Sequence, residues 1–530
     1  MSHFQNKLKR RQGRFKKKNT RSNSRDKRVK HTISLSKSKR DERLMKRRNI
    51  GKVLQSSNLN QQNNQVITDH IPTVEELPEL VKGVNSNDIS IIKKSTQLIR
   101  KMLSVEDDPP VNEVLQTNLI SKFVSFLEKN DQFLQFESAW ILSNICSGEH
   151  EECEYVVDLG IIPIFNELLK SEDPDIIEQS CWALSNISGD CIEYRDLILK
   201  QKGVIDNLIN IIKSPSSNLD IIQNANWCLS NLCRGKPRPK FTKVCKAIPI
   251  FAHLINQNHQ QLVIDACWGL SYLSDGNDLN INSVIDSGVV PKMVEFLGST
   301  NPKIQIPALR VIGNLVTGDS IQTQRVLESD ILDKLYNLLS HQRIQIKKEA
   351  CWALSNITAG TKNQIQQVVE SGIIKQLILV MKGSNRLIRQ EACWVLSNAI
   401  YGGSTEQIIY CAEQGCLNEF IYFLESPSSR VIKICLEAIE KILQVGEIQA
   451  ERTAGQNPVI QAIQSEGGIE KIDKLTNHKS KVIYKLAENI YETYFFEEES
   501  DEDDEEDSDE GNYNFYDEQE IDNTFAQYEF

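Results

Sequence analysis

The sequence predicts an all-α solenoid of about ten stacked helical repeats, carried between a basic head and an acidic tail. Three observations predict it. Tryptophan recurs at a near-constant interval, the apolar residues between tryptophans follow helical spacing, and charge is segregated to the two ends of the 530-residue chain.

All six tryptophans fall in one series, Trp140, Trp182, Trp227, Trp268, Trp352 and Trp394, at intervals of 42, 45, 41, 84 and 42. The 84 is a doubled step, and at its midpoint stands Arg310 in PALRVIGNL, a segment shaped like its neighbours. The heptapeptide CWALSNI occurs letter for letter at Cys181 to Ile187 and again at Cys351 to Ile357. Four residues after each mark come Asn144, Asn186, Asn231, Tyr272, Asn314, Asn356 and Asn398. A second mark, a glycine ahead of an apolar run, stands at Gly160, Gly203, Gly288, Gly372 and Gly415 and suits a tight junction between helices. Within the units, residues such as Ile161, Ile164, Phe165, Leu168 and Leu169 recur at threes and fours, and strand alternation is not sustained. A period near 42 lies in the armadillo and HEAT range, where each unit buries its apolar face only by stacking on the next. Leu80 to Leu127 reads as an irregular first unit, Gly415 to Leu443 as a further one, and Gly468 to Phe496 as the last, after an insertion around Glu447 to Val459.

Composition sets the ends apart. Residues 1–50 hold twenty Lys and Arg against three Asp and Glu, whereas residues 497–530 hold seventeen acids and no Lys or Arg. The expected organisation is a basic segment at 1–55, a flexible linker at 56–76, the repeat domain at 77–496 and an acidic disordered tail at 497–530. Thirteen cysteines form no CxxC pair and no zinc-binding spacing, and neither a signal peptide nor a long apolar run is present. Reduced thiols in a cytosolic or nuclear protein are expected, without metal or cofactor. Asn186-Ile-Ser188 and Asn356-Ile-Thr358 match a glycosylation sequon by coincidence.

Trp and Asn four apart share a helix face. One unpaired buried amide costs about 1 to 3 kcal/mol, so six in register are better placed facing a groove, where they can hold the backbone of an extended peptide. Adjacent indoles would form slots for aliphatic stems ending in a cation. Asp190, Asp265, Glu349 and Glu391 beside the ladder favour a basic guest. Arg310 and the Trp268/Tyr272 pair divide the groove into a first site over Trp140, Trp182 and Trp227 and a second over Trp352 and Trp394. Arg310 repels a basic peptide, fixes an acidic group between the two sites, or forms a structural ion pair. Lys46-Arg47-Arg48, on a linker spanning roughly 30 Å as a coil, is itself a basic peptide able to occupy the groove.

The head with KRRN at 46–49, the WxLSN ladder and its Arg-interrupted middle resemble importin-alpha, the karyopherin-alpha adaptor for nuclear import, over essentially the whole chain. The resemblance implies a right-handed superhelical armadillo domain that binds mono- and bipartite nuclear localisation signals. It implies a major site of Trp140, Asn144, Gly148, Gln179, Trp182, Asn186, Asp190, Trp227, Asn231 and Asp265. The implied minor site comprises Arg310, Asn314, Glu349, Trp352, Ser355, Asn356, Glu391, Trp394 and Asn398. The head is then the importin-beta-binding domain, with Lys46, Arg47 and Arg48 an autoinhibitory mimic of cargo. Ran-GTP and an exportin of the CAS type are the implied partners for release and return, with shuttling between cytoplasm and nucleus. Cys153 stands where the family often has Thr, and Asp319 stands one position before the family's usual acid.

Other classes fit less well. A catenin-type scaffold would line its groove with Lys and Arg to hold acidic partners. A nucleic-acid binder would depend on residues 1–50 and on salt. No phosphate-cradling loop, nucleophile motif or metal cluster points to an enzyme, and no membrane association is expected.

Overall fold

The computed structural model describes residues 46–49, 70–383, 385–453 and 455–496, and every regular element among them is helical. The head before Lys46, residues 50–69 of the linker region and the acidic tail lie outside the described residues. From Leu77 onward the helices group into ten units. The first has two helices, Leu77–Val84 and Ile89–Met102; the others have three, as in His150–Asp158, Ile161–Leu168 and Pro174–Asp190.

The third helix of each unit packs on the third helix of the next. Gln132–Ile145, Pro174–Asp190, Leu219–Leu232, Gln260–Ser274, Pro302–Leu315, Ile344–Thr358, Arg386–Gly402, Ser429–Thr453 and Lys481–Tyr494 thus form one continuous wall. Five of their N-termini are set by side-chain caps: Asp131, Asp173, Asn218, Asn301 and Asn385 accept from free backbone N–H groups of the first turn. Among the described residues the apolar core is a single cluster from Leu77 to Ile490. No described helix is long and apolar enough to cross a membrane.

The junction before the second helix takes left-handed backbone in units two to four and six to ten, whereas Ala247 in the fifth is right-handed. Gly160, Gly203, Gly288, Gly372, Gly415 and Gly467 adopt it, with φ of 65 to 96°. Where glycine is missing, Asn118 and Asp330 take the same conformation, the residue types whose short polar side chains best tolerate it.

The insertion at Glu447 to Val459 takes mostly helical form: Ser429–Thr453 runs 25 residues, and Asn457 folds back to donate to the Leu443 carbonyl at 3.0 Å. A sequence expectation needs correction. The presumed first unit, Leu80 to Leu127, spans parts of two units, because the first lacks the tryptophan that marks six of the others.

A buried ion pair joins the first two units. Arg100 Nε donates to Glu137 Oε2 at 2.7 Å, both side chains being at most 1% exposed, and the guanidinium lies 4.5 Å from the Trp140 ring centroid. Glu137→Ala leaves a buried guanidinium without its carboxylate and is expected to destabilise that end by about 3 to 5 kcal/mol. Hydrogen exchange across residues 77–145 reads this locally; unchanged protection there would refute it.

Candidate peptide-binding groove

The ladder asparagines are buried, at 0 to 6% exposure, and most do something the sequence reading did not foresee. Asn186, Asn231, Asn314, Asn356 and Asn398 donate through Nδ2 to the main-chain carbonyls of Ser143, Ser185, Ser271, Gly313 and Ser355, one position before the corresponding ladder residue of the preceding unit. Asn144 donates likewise to Leu103 O. Burial of the amide is therefore not the objection it seemed, because its donor is satisfied by the neighbouring helix. The same bond fixes the amide's orientation, leaving Oδ1 as the acceptor for a ligand.

That acceptor is in use over the first site. Asn144 Oδ1 accepts from Asn49 N at 3.1 Å, and Asn186 Oδ1 accepts from Arg47 N at 3.0 Å. The carbonyls of the same two residues are also held. Trp140 Nε1 donates to Asn49 O at 3.2 Å, while Trp182 Nε1 and Asn186 Nδ2 donate to Arg47 O at 2.7 and 3.1 Å. Alternate residues of the segment 46–49 thus meet successive units, the two-residue period of an extended chain. The segment runs antiparallel to the repeats, its later residue lying over the earlier unit. The indole N–H as a backbone donor was not read from the sequence, which assigned the ring face only.

Side chains of the segment enter separate pockets. The Arg47 guanidinium lies 4.3 Å from the Trp227 ring centroid and donates to Asp265 Oδ1 at 2.8 Å. Trp227 meets Trp182 edge to face, with centroids 5.9 Å apart. Asp265 is 2% exposed; burial pushes its carboxyl above the usual range, and Arg47 pulls it partly back. Arg48 Nε reaches Ser147 Oγ at 3.5 Å.

Lys46 is held at the ends of two helices. Its ammonium pairs with Asp190 Oδ1 and donates to Gly148 O at 2.9 Å. Asp190 closes helix Pro174–Asp190, and Gly148 lies just past helix Gln132–Ile145. Helix C-termini carry negative partial charge, so both the carboxylate and the carbonyl there favour a cation. On its other oxygen, Oδ2, Asp190 meets His150 Nδ1 at 2.5 Å. Cys153, standing where the family often has Thr, is buried and hydrogen-bonded to Cys146, which with burial drives its thiol far above the ordinary range.

The remaining residues of the first site are differently placed. Asn231 is buried on Ser185. Gln179 is buried with its side-chain oxygen unpartnered among the described residues.

In the second site Arg310 takes the structural alternative. It donates to Glu349 Oε1 at 3.4 Å and stacks over Trp268, 5.3 Å from the ring centroid, while Trp268 itself stacks on Tyr272. Trp352 is 1% exposed, with its ring over Gly313, where an added Cβ would come within 2.1 Å. A serine occupies that place beside the other six marks, and at Gly313 the Trp352 ring fills the space such a side chain would take. Ser355 Oγ donates to Trp352 O within its own helix, Glu391 pairs with Lys348 at 3.9 Å, and Arg430 lies 5.9 Å from the Trp394 ring centroid. Asp319 caps helix Ser320–Leu327 through Ile321 N and Gln322 N.

Residues 11–97 match the importin beta binding domain family, and residues 150–189, 277–317, 319–359 and 361–400 match the armadillo/beta-catenin-like repeat. Residues 457–510 match the atypical Arm repeat. The chain is 48% identical over 482 residues to importin subunit alpha-2 of Arabidopsis thaliana, covering 88% of each chain. It is 46% identical over 498 residues to importin subunit alpha-B of Dictyostelium discoideum, covering 93% of this chain and 94% of that one. Among solved structures, an engineered protein at 24% identity superposes with a TM-score of 0.70 over 79% of this chain and 98% of its own, a likeness of fold.

Proposed function

The chain belongs to the importin-alpha family, and from that premise we propose which residues read its cargo and how the head controls them. It is a nuclear import adaptor: the armadillo groove binds nuclear localisation signals, and the importin-beta-binding segment links the cargo to importin-beta. It is not an enzyme, and it works in the cytoplasm and the nucleus.

In the proposed major site, Asn144 and Asn186, with the indoles of Trp140 and Trp182, hold the backbone of a signal at every second residue whatever its sequence. Selection comes from the side-chain pockets. Asp190 and the Gly148 carbonyl take a lysine, Trp227 and Asp265 take an arginine or lysine, and Asn231 and Gln179 extend the wall. In the proposed minor site, Asn314, Asn356 and Asn398 supply the backbone contacts, with Trp352, Trp394, Ser355 and Glu391 around the guest side chains. The Arg310–Glu349 pair closes the gap between the two sites. Segment 1–55 is the importin-beta-binding element, 56–76 its tether, 77–496 the groove and 497–530 an acidic extension. Binding of importin-beta to the head withdraws Lys46, Arg47 and Arg48 from the groove, Ran-GTP dissociates the import complex, and an exportin of the CAS type returns the free adaptor through the pore.

The observation that carries this reading is the segment 46–49 seated in the groove by four residues of the ladder, with both basic pockets filled. A chain beginning at residue 70 is expected to bind a lysine-rich signal peptide with a dissociation constant of about a micromolar or below. Absence of binding by isothermal titration calorimetry would reject the groove assignment.

A further inference from the structure

We propose that His150 sets the specificity and the pH response of the lysine pocket, by occupying Oδ2 of Asp190 so that Oδ1 alone is offered to one guest ammonium. The inference rests on the reading of the groove as a basic-peptide site and adds a residue to it.

The geometry is that of one carboxylate shared by two nitrogen donors. Lys46 sits on Oδ1 and His150 Nδ1 lies 2.5 Å from Oδ2. A carboxylate only accepts, so the His150 nitrogen facing it carries the proton. The ring is fixed from behind by stacking on Tyr194, with centroids 5.8 Å apart and planes 22° apart. Asp190 is 4% exposed while the His150 side chain is half exposed, so the carboxylate is enclosed but its second partner stays open to protons from solvent. His150 is a positioning residue here: it touches Asp190, and no contact between it and the guest is needed.

Two consequences separate this arrangement from a simple acid pocket. With Oδ2 taken, the pocket presents one acceptor oxygen flanked by the Gly148 carbonyl, which suits the point charge of an ammonium and denies a guanidinium its two-pronged bond to the carboxylate. Lysine is therefore preferred over arginine at this position. The second consequence is electrostatic. Neutral His150 leaves Asp190 with its full charge, whereas protonated His150 neutralises part of it and repels the guest.

The neighbours decide where that change falls. On His150's own helix Glu151 and Glu154 raise its pKa, as does Asp190 across the groove edge, which contributes most. From the facing elements come Tyr194 and Cys191, both pushed up by burial, the latter to about 11, so they stay neutral near pH 7. Glu152, facing Lys46 and Arg48, is raised by burial. A lysine beside Asp190 disfavours His150's proton, so the histidine's pKa is lower with the pocket filled than with it vacant. Releasing the guest takes up a proton, and lysine binding weakens as pH falls through the raised range of the vacant pocket.

The test uses the chain beginning at residue 70, which holds the apolar core of the described residues, and two peptides: residues 43–49, RLMKRRN, and the same peptide with alanine in place of Lys46. The ratio of their affinities isolates the lysine pocket from Asp265, which both peptides engage through Arg47. Between about pH 7.5 and about pH 5.5 this ratio is expected to fall several-fold, up to about tenfold for each unit by which the guest shifts the histidine. In His150→Gln, which keeps a polar neutral group and lies half exposed, the ratio is expected to stay level, and a lysine-to-arginine change in the peptide to be better tolerated. A ratio that falls equally in His150→Gln assigns the effect to Glu152 and overturns the inference, as does a level ratio in the unsubstituted chain. Failure of RLMKRRN to bind at the higher pH overturns the groove reading itself and this inference with it.

Discussion

In the chain beginning at residue 70, Asp190→Lys lowers the affinity for a lysine-rich signal peptide by at least about a hundredfold. The substitution does more than delete one contact. It replaces the enclosed carboxylate that pairs with Lys46 by a like charge, at the C-terminal end of a helix, beside the Gly148 carbonyl. Breaking one partner of a buried, hydrogen-bonded charge pair costs about 2 to 5 kcal/mol, and each 1.4 kcal/mol is tenfold in affinity. The backbone contacts from Asn144, Asn186, Trp140 and Trp182 remain, so a peptide with alanine at the lysine position loses much less when the groove carries Asp190→Lys. Fluorescence anisotropy with both peptides on both chains closes a double-mutant cycle. Undiminished binding of the lysine peptide to the Asp190→Lys chain sinks the major-site assignment.

In the full-length chain, the pair of substitutions Lys46→Ala and Arg47→Ala raises the apparent affinity for a signal peptide added in trans by about ten- to a hundredfold. Covalent attachment through the linker presents the head to the groove at an effective concentration of about a millimolar, so even an intrinsic affinity of tens of micromolar keeps the groove mostly occupied. The two residues carry the contacts to Asp190, Gly148, Trp227 and Asp265, and removing them leaves the segment with backbone bonds common to any peptide. Truncation of residues 1–69 is expected to give the same gain. Equal peptide affinity in full-length and substituted chains refutes autoinhibition while leaving the groove assignment standing, because the truncated chain tests that separately.

Particular residues show how far the sequence could be read. Trp140, Asn144, Trp182 and Asn186 were legible because one helix per unit repeats the same letters at the same phase, and a repeated phase is a repeated face. Asp190 and Asp265 were legible as acids near that face, but their separate duties, one for Lys46 and one for Arg47, were not. His150 was not legible at all: it stands 40 positions before Asp190 in a different helix, and only stacking of the units brings the two together. Arg100 escaped notice for the same reason, since its partner Glu137 lies on the next unit. Asn231, Asn314, Asn356 and Asn398 were read as groove residues and are also ties between units, a second role invisible without the neighbouring carbonyl in place.

The sequence by itself determined the solenoid, the number and phase of its units, the basic and acidic ends and the residue types on the ladder face. These follow from local periodicity, which each unit carries within its own 42 or so residues. The tertiary structure decided which atoms of those residues meet: that Asn uses its donor on the preceding unit and its oxygen on the guest, that Arg310 closes on Glu349, that Asp190 serves a lysine with one oxygen and a histidine with the other. The physical reason is that hydrogen bonds and charge pairs act over about 3 Å between groups tens of residues apart in the chain, and periodicity constrains the face a residue occupies without specifying which atom lies opposite it.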